Sequence, residues 1–421
     1  MAFGPFGAAI RLPSMPERNL SKNMKGPVIA LDVSKGSSHV QGFKSFGVPL
    51  GKTERIHHSR EGLSVIREAA ESLGKATGEI PSVVLESTGV YSACVVRYCQ
   101  SMNLAVYLIS PLASAKMRKA EIRPTKTDAI DPSTIAKVFY SRELRRPPIQ
   151  GGARDSLREL SRIYGSESEA LAELKNKYRR LLDLIWPCLD EAWEDPFSSV
   201  PMAIVGRYGH PEVLAAKPKS RIATAIFAGS FASKAKSEAE AEKAKEYSKT
   251  HVSGVPASSP YVAEVRAKAE EIRAKEAKLG SLRKEMESIA DSIPEWRCLR
   301  TVPCCSGIAG LRILAEIGDV HRFETPDSLV AYAGLDPCVS QSGEVSGKHL
   351  SITKKGNSVL RQAAYLVVKT MHQFSDCPIT EFYDKKKSSG LSDKAAAVAA
   401  SNKLLRVIYS VLSKRAEFVQ G

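Results

Sequence analysis

The spacing of apolar residues changes period several times along the chain, and each change predicts a different element. Pro27-Val-Ile-Ala-Leu-Asp-Val33 is a nearly unbroken apolar run, as expected of a buried strand, and it closes on an acid. Residues 39–43 and 46–50 predict two further strands. Residues 62–70 have helical period, and Ser82-Val-Val-Leu-Glu86 is a second apolar strand closing on an acid. Ser87-Thr88 is placed to cap a helix over 90–102. A strand at 105–109 and helices near 112–120 and 128–139 complete the pattern. Three early strands, then strands alternating with helices, describe an α/β domain of mixed sheet over 27–154. It follows a tail at 1–26 that is rich in Gly, Pro, Lys and Arg, has no period and is expected to be flexible.

From 155 to 293 the period is helical. Leu157, Leu160, Leu171, Leu174, Tyr178, Leu181, Ile185 and Leu189 fall on one face. Val262, Val265, Ala269, Ile272, Leu279, Leu282, Met286, Ile289 and Ile293 step mostly by three and four between charges, the pattern of a coiled-coil seam. Two long helices in an antiparallel hairpin are expected, with a less regular excursion over 196–260. The bare pattern fits a spacer or dimerisation arm as well as a nucleic-acid contact. Past Pro294 the chain turns to Gly, Ser, Cys and apolar residues, and 294–421 reads as a separate, mainly helical domain.

Composition narrows the class. The 421 residues carry 61 Lys and Arg against 46 Asp and Glu, a net charge of +15, with 43% hydrophobic content. This composition excludes a disordered or collagen-like chain. No run approaches the roughly 18 uncharged apolar residues of a membrane span, and the first residues do not read as a secretory signal. The eight cysteines contain no Cys-x-x-Cys, so a zinc site is not expected and buried thiols in a reducing compartment are. The charge points to a polyanion, nucleic acid before membrane. From Gly343 onward there are 13 Lys and Arg against 6 Asp and Glu, nearly half the excess.

Four acids are placed for chemistry. Asp32 and Glu86 close strands, while Asp128 and Asp131 stand three apart on one helix face. Carboxylates converging at a sheet edge stay ionised when cations neutralise them, and two Mg²⁺ ions would clamp a phosphodiester there. Acids also end strands and cap helices routinely, so the pattern alone leaves both readings open.

The words Leu31-Asp32-Val-Ser-Lys35, Leu85-Glu86-Ser-Thr-Gly-Val-Tyr91 and Lys126-Thr-Asp128-Ala-Ile-Asp131 occur in that order. Together they resemble the insertion-sequence-110 family of DEDD transposases, including its 1111-type members, over about residues 28–370. The resemblance implies a ribonuclease-H-like (RuvC-like) domain whose Mg²⁺-binding tetrad is Asp32, Glu86, Asp128 and Asp131. Further on, Phe323-Glu-Thr-Pro-Asp-Ser-Leu329, Ala331-Tyr-Ala-Gly-Leu-Asp-Pro337, Gln341-Ser-Gly343 and Lys354-Lys-Gly-Asn357 followed by Leu360-Arg361 are similar to that family's C-terminal transposase domain.

There the family implies a serine nucleophile on DNA, and the matching Ser-Gly step assigns Ser342. From the residues alone, Ser340 and Ser346 compete with it, and Ser-Gly is also a common turn. Lys354, Lys355 and Arg361, with Lys126, are the candidate nucleic-acid contacts, although a solvated basic face fits them as well. Ser306-Gly-Ile-Ala-Gly310 resembles a helix-hairpin-helix turn but departs from Pro-Gly-Ile-Gly, so plain helix packing is an equal reading.

The expected activity is therefore DNA transposition through a serine–DNA link, with Mg²⁺. No nucleotide cofactor is expected, and no Gly-x-x-x-x-Gly-Lys-Ser/Thr loop occurs. The resemblance also implies donor and target DNA, a structured guide RNA, a homo-oligomer (dimer or tetramer), and a cytoplasmic, nucleoid-associated setting in a bacterium or archaeon with no membrane partner. Two other readings stand beside it: a Mg²⁺-dependent hydrolytic nuclease or junction resolvase using the acids alone, and a non-catalytic DNA- or RNA-bridging protein.

Overall fold

The computed structural model describes residues 26–87, 89–109, 114, 117, 131–141, 152–337, 341–342, 345–346 and 352–419; at Asp131 and at the four residues 341–342 and 345–346 it is the backbone that is described. The tail before Gly26, most of the helix expected at 112–120, Lys126 and Asp128 lie outside these residues. The chain divides at 150/151 into two compact units.

In the first unit, β1 (Val28–Ser34), β2 (Ser37–Ser45) and β3 (Val48–His57) form an antiparallel meander. Gly36, at φ 78°, supplies the left-handed residue that the two-residue turn between β1 and β2 requires. Helix α1 (Arg60–Thr77) follows, started by Ser59 Oγ, which accepts from the Gly62 amide. Next come β4 (Ser82–Glu86), a short 3-10 turn, α2 (Ala93–Ser101), β5 (Val106–Ile109) and α3 (Asp131–Ser141).

The five strands lie in the order β3-β2-β1-β4-β5, with β1, β4 and β5 parallel. Alternation along the strands separates two buried layers. Ile29, Leu31, Val33, Val83 and Leu85 pack on α1 and α2, whereas Val28, Ala30, Val84, Tyr107 and Ile109 pack on α3. The expected cap at Ser87-Thr88 needs correction: the 3-10 turn Gly89–Ser92 intervenes, and Ser92 holds the cap position of α2.

The second unit is built on α4 (Ala153–Ile185). Five helices follow: α5 (Leu189–Ala192), α6 (Ser199–Tyr208), α7 (Pro211–Ala215), α8 (Lys219–Gly229) and α9 (Lys234–Thr250). The chain then returns in α10 (Pro260–Asp291), antiparallel to α4. Leu171, Leu174, Tyr178 and Leu182 of α4 share a core with Val265, Ala269, Ile272 and Leu279 of α10. Each buried Leu or Ile contributes roughly 1.5–3 kcal/mol by removal from water. Glu167 binds Lys275 and Lys278 at 2.7 and 2.6 Å, and Lys175 binds Glu276 at 2.6 Å. Such exposed pairs contribute little stability but select this register.

The stretch 196–260 is more regular than expected. Trp186, Trp193, Tyr208 and Tyr247 form its core, and the Ala/Lys/Glu run is helix α9, presenting Ala241, Ala244 and Tyr247 inward. Val200, Met202, Ile204, Val205, Leu214, Ile222 and Ile226 are buried with them, divided among several short helices, so no long hydrophobic period stands out in the sequence.

The remaining elements are α11 (Pro294–Leu299), α12 (Ile308–Ile317), α13 (Pro326–Ala333), a small hairpin of β6 (Gln341–Ser342) and β7 (Val345–Ser346), α14 (Ser358–Phe374), α15 (Pro378–Ser388) and α16 (Asp393–Lys414). Their core also takes in Leu157, Met286 and Ala290 from the two long helices. Helix α16 is long and apolar enough to cross a membrane by composition, but Ala396, Ala400, Leu404, Leu405, Ile408 and Leu412 bury it in this core. Gly307 starts α12, and a Cβ on Gly310 would stand 1.7 Å from the Cys305 carbonyl oxygen, so the 306–310 turn is a packed one.

Candidate functional site

Register fixes the first two acids. Leu31 of β1 pairs with Leu85 of the parallel β4, so the next residues, Asp32 and Glu86, are neighbours at the carboxyl end of adjacent strands. Both are half-buried. By alternation they share the face carrying Ala30 and Val84, which α3 covers. At the far end of α3, Tyr140 donates to the Gly26 carbonyl at 2.8 Å, just before β1, and its ring meets Phe46 edge-on at 5.9 Å. Ile135, Ala136, Val138 and Phe139 hold the helix flat on the sheet. Nine residues at about 1.5 Å each carry it roughly 14 Å back over the strands. That direction takes the Asp131 backbone toward the edge where Asp32 and Glu86 stand.

An acid pair of this kind offers hard oxygen donors only, the set Mg²⁺ prefers. Among the described residues no three acid, His or Cys side chains gather into a complete ligand group. Of the four acids expected to form a tetrad the structure brings these two together; Asp128 and the Asp131 side chain lie outside the described residues.

The serine lies in the second unit. Ser342 pairs with Val345, and Gln341 with Ser346, on either side of a two-residue tip. A bridge between Pro337 and Ile352 closes the base of this excursion. Beyond the base, Thr353 donates to Asp336 through both its amide (2.9 Å) and its hydroxyl (2.7 Å), and the Lys354 amide donates to the Gly334 carbonyl at 3.2 Å. Gly356 is required by close approach: a Cβ there would stand 2.4 Å from the Tyr332 carbonyl oxygen and 2.5 Å from the Gly334 nitrogen. Residues 334–337 and 352–357 therefore form a fixed platform on the two sides of the excursion. Ser340 is outside the described residues.

Lys354 and Lys355 are exposed on that platform, Lys354 with a left-handed backbone (φ 52°). Arg361 is different: half-buried, it donates from Nη1 to the Ala333 carbonyl at 2.8 Å, closing the end of α13. It thus has a structural task that the sequence did not reveal. The pattern also gave no role to Asp336, Thr353 and the two glycines, Gly334 and Gly356, which lie 22 residues apart in the sequence and meet only in the fold.

Comparison with known proteins places both units among transposases. A DEDD transposase domain matches residues 29–187, and the transposase domain of the IS116/IS110/IS902 family matches 296–384. The chain belongs to the IS110-type transposases, enzymes that act on the DNA of an insertion sequence.

It is 21% identical over 397 residues to an uncharacterized 44.8 kDa protein of insertion element IS116 from Streptomyces clavuligerus, covering 93% of this chain and 95% of that one. It is 23% identical over 145 residues, 34% of this chain and 40% of the relative, to a transposase for insertion sequence element IS1111A from Coxiella burnetii. A pilin gene-inverting protein of Moraxella bovis is 30% identical over 121 residues, 28% of this chain and 37% of the relative.

Proposed function

We propose that the chain moves its insertion sequence by cutting and rejoining DNA through a covalent link to Ser342, with a metal site at Asp32, Glu86, Asp128 and Asp131. The observation that carries this reading is the platform: Pro337–Ile352 and Asp336–Thr353 pin the base of the excursion that includes the Ser342 hairpin, and two exposed lysines, Lys354 and Lys355, follow directly on that base. The strand order β3-β2-β1-β4-β5, with an acid just past the parallel pairing of β1 with β4 on each strand, supports a ribonuclease-H-like first domain.

In this mechanism Ser342 Oγ attacks the phosphorus of a phosphodiester. The Oγ–P bond forms as the bond to a deoxyribose oxygen breaks, and the serine proton ends on the departing hydroxyl. Rejoining reverses the exchange when another deoxyribose hydroxyl attacks the phosphoserine. The number of phosphoester bonds is unchanged, so no nucleotide is needed. Mg²⁺ held by the carboxylates would withdraw charge from the phosphate and stabilise the five-coordinate phosphorus. Lys354 and Lys355 neutralise the same phosphate from the serine side, as cations do in phosphoryl transfer. Lys126 is a further candidate contact, and Arg361 supports the platform before it can touch DNA. A structured guide RNA, read by shape and backbone, and a homo-oligomer that brings several active sites together complete the proposal; the +15 charge suits both nucleic acids.

The test is to co-express the protein with its element DNA, denature, and locate any protein–DNA adduct by mass spectrometry, with Ser342→Ala and Asp128→Ala alongside and bound RNA assayed. An adduct at Ser342 that requires Asp128 and Mg²⁺ is the expected result. Cleavage without an adduct that survives Ser342→Ala would replace this reading with a hydrolytic nuclease.

A further inference from the structure

Inside the second unit lies a carboxylate that neither the sequence motifs nor the proposed chemistry uses. Glu316, in the last turn of α12, is completely buried. Arg162 of α4 reaches it with Nε to Oε1 at 3.2 Å and Nη2 to Oε2 at 3.4 Å. Asn357 Nδ2 donates to Oε2 at 2.6 Å and lies 3.2 Å from the Tyr332 hydroxyl. The Glu316 carbonyl accepts from Arg322 Nη2 at 3.2 Å, and that guanidinium lies 4.4 Å over the rings of both Phe323 and Tyr332. A buried carboxylate persists only where its charge and lone pairs are met, and each donor here comes from a different segment.

Asn357 makes this more than a core detail. Its Oδ1 accepts from the Leu360 amide at 3.0 Å and starts α14, while its own amide donates to the Tyr332 carbonyl at 2.7 Å. It is therefore the downstream end of the platform that carries Lys354, Lys355 and the return strand of the Ser342 hairpin. Arg162 belongs to the long helix α4, near the pairing of Glu167 with α10.

We infer that Glu316 is a positioning residue for strand cleavage: through Asn357 it locks the serine platform to α12, and through Arg162 it locks the same platform to the long helix α4. This rests on the reading of Ser342 as the nucleophile. Glu316 touches no DNA. It sets where the serine hairpin and its two lysines stand, so its removal should lower the rate of covalent attack more than it lowers affinity for DNA.

The experiment uses the full chain with its element DNA. Glu316→Gln replaces a pure acceptor by an amide that turns its NH₂ toward Arg162 or Asn357. Asn357→Ser keeps the helix cap but deletes the donor to Glu316. Leu314→Ala, two residues away in the same helix and buried in the same core, is the control for general destabilisation. Adduct formation, DNA affinity and amide exchange at 352–357 are measured at a temperature where all variants are folded. Glu316→Gln and Asn357→Ser should slow adduct formation at least tenfold, leave DNA affinity within twofold and raise exchange selectively at 352–357, while Leu314→Ala leaves adduct rate and affinity unchanged and raises exchange evenly across the helical core. Unchanged adduct rate and exchange in both clamp variants would overturn the inference, as would equal effects from Leu314→Ala. A wild-type chain that forms no serine adduct refutes the nucleophile assignment instead, and exchange at 352–357 then still decides whether the clamp holds the platform.

Discussion

At the residue scale, most of the constraint is steric or polar at single atoms. A methyl group on Gly356 has nowhere to go between the Tyr332 carbonyl and the Gly334 amide. Gly356→Ala should therefore destabilise the second unit by about 3 kcal/mol, seen as a lower urea midpoint with an unchanged slope. Arg361→Gln should lower stability by about 1 kcal/mol through loss of its bond to the Ala333 carbonyl, and the shift should appear without DNA present. A pure phosphate contact would instead change only binding. Asp32 and Glu86 were legible because each ends an apolar run, so pattern and position coincide. Glu316 was not, since an acid in a helical word ahead of Gly-Asp reads as an ordinary solvated helix end; only tertiary packing buries it.

At the element scale, the two long helices were plain from period, and their antiparallel pairing from the excursion between them; the structure adds charges in facing positions. Hydrogen bonds from Lys275 and Lys278 hold the Glu167 carboxyl down at about 2, from an ordinary 4.5. A carboxylate depressed on folding lends its stability above its unfolded value and loses it as the pH falls through the folded one. Thermal melts from pH 6 to 2 should therefore show Glu167→Gln less stable than wild type near neutrality, with the gap closing between about pH 4.5 and 2. The sheet strands were legible too, within a residue or two except for the third, expected at 46–50 and running on to His57 because its mostly polar, exposed second half carries no apolar signal. The helices within 196–260 were not, because their buried Val, Ile, Leu and Met residues are divided among several short helices and the Ala/Lys/Glu run buries mainly alanines, so no long stripe forms. The cap at Ser87 failed for a related reason: a capping residue signals that a helix starts nearby, and the 3-10 turn that delays it has no sequence mark of its own.

At the scale of the whole molecule, the sheet unit and the helical unit have separate cores, and Trp186, Trp193 and Trp296 are all buried in the second. Leu85→Ala removes a fully buried side chain from the sheet and should destabilise that unit by about 2–5 kcal/mol. Exchange along β1 and β4 should report it while tryptophan emission stays at its wild-type wavelength. The path of the chain through the second unit has a kinetic consequence. Helices α4 and α10 are partners, yet about 70 residues are made between them, so α4 leaves the ribosome well before its mate exists. The Gly254 amide reaches the Leu184 carbonyl at 2.9 Å, so the intervening module brings its own two ends together when it folds. Most of the entropy of that long closure is then spent inside the module. Refolding should accordingly show the module's aromatic core forming ahead of the α4–α10 pairing, and Trp193→Ala should slow the assembly of two helices it helps to introduce.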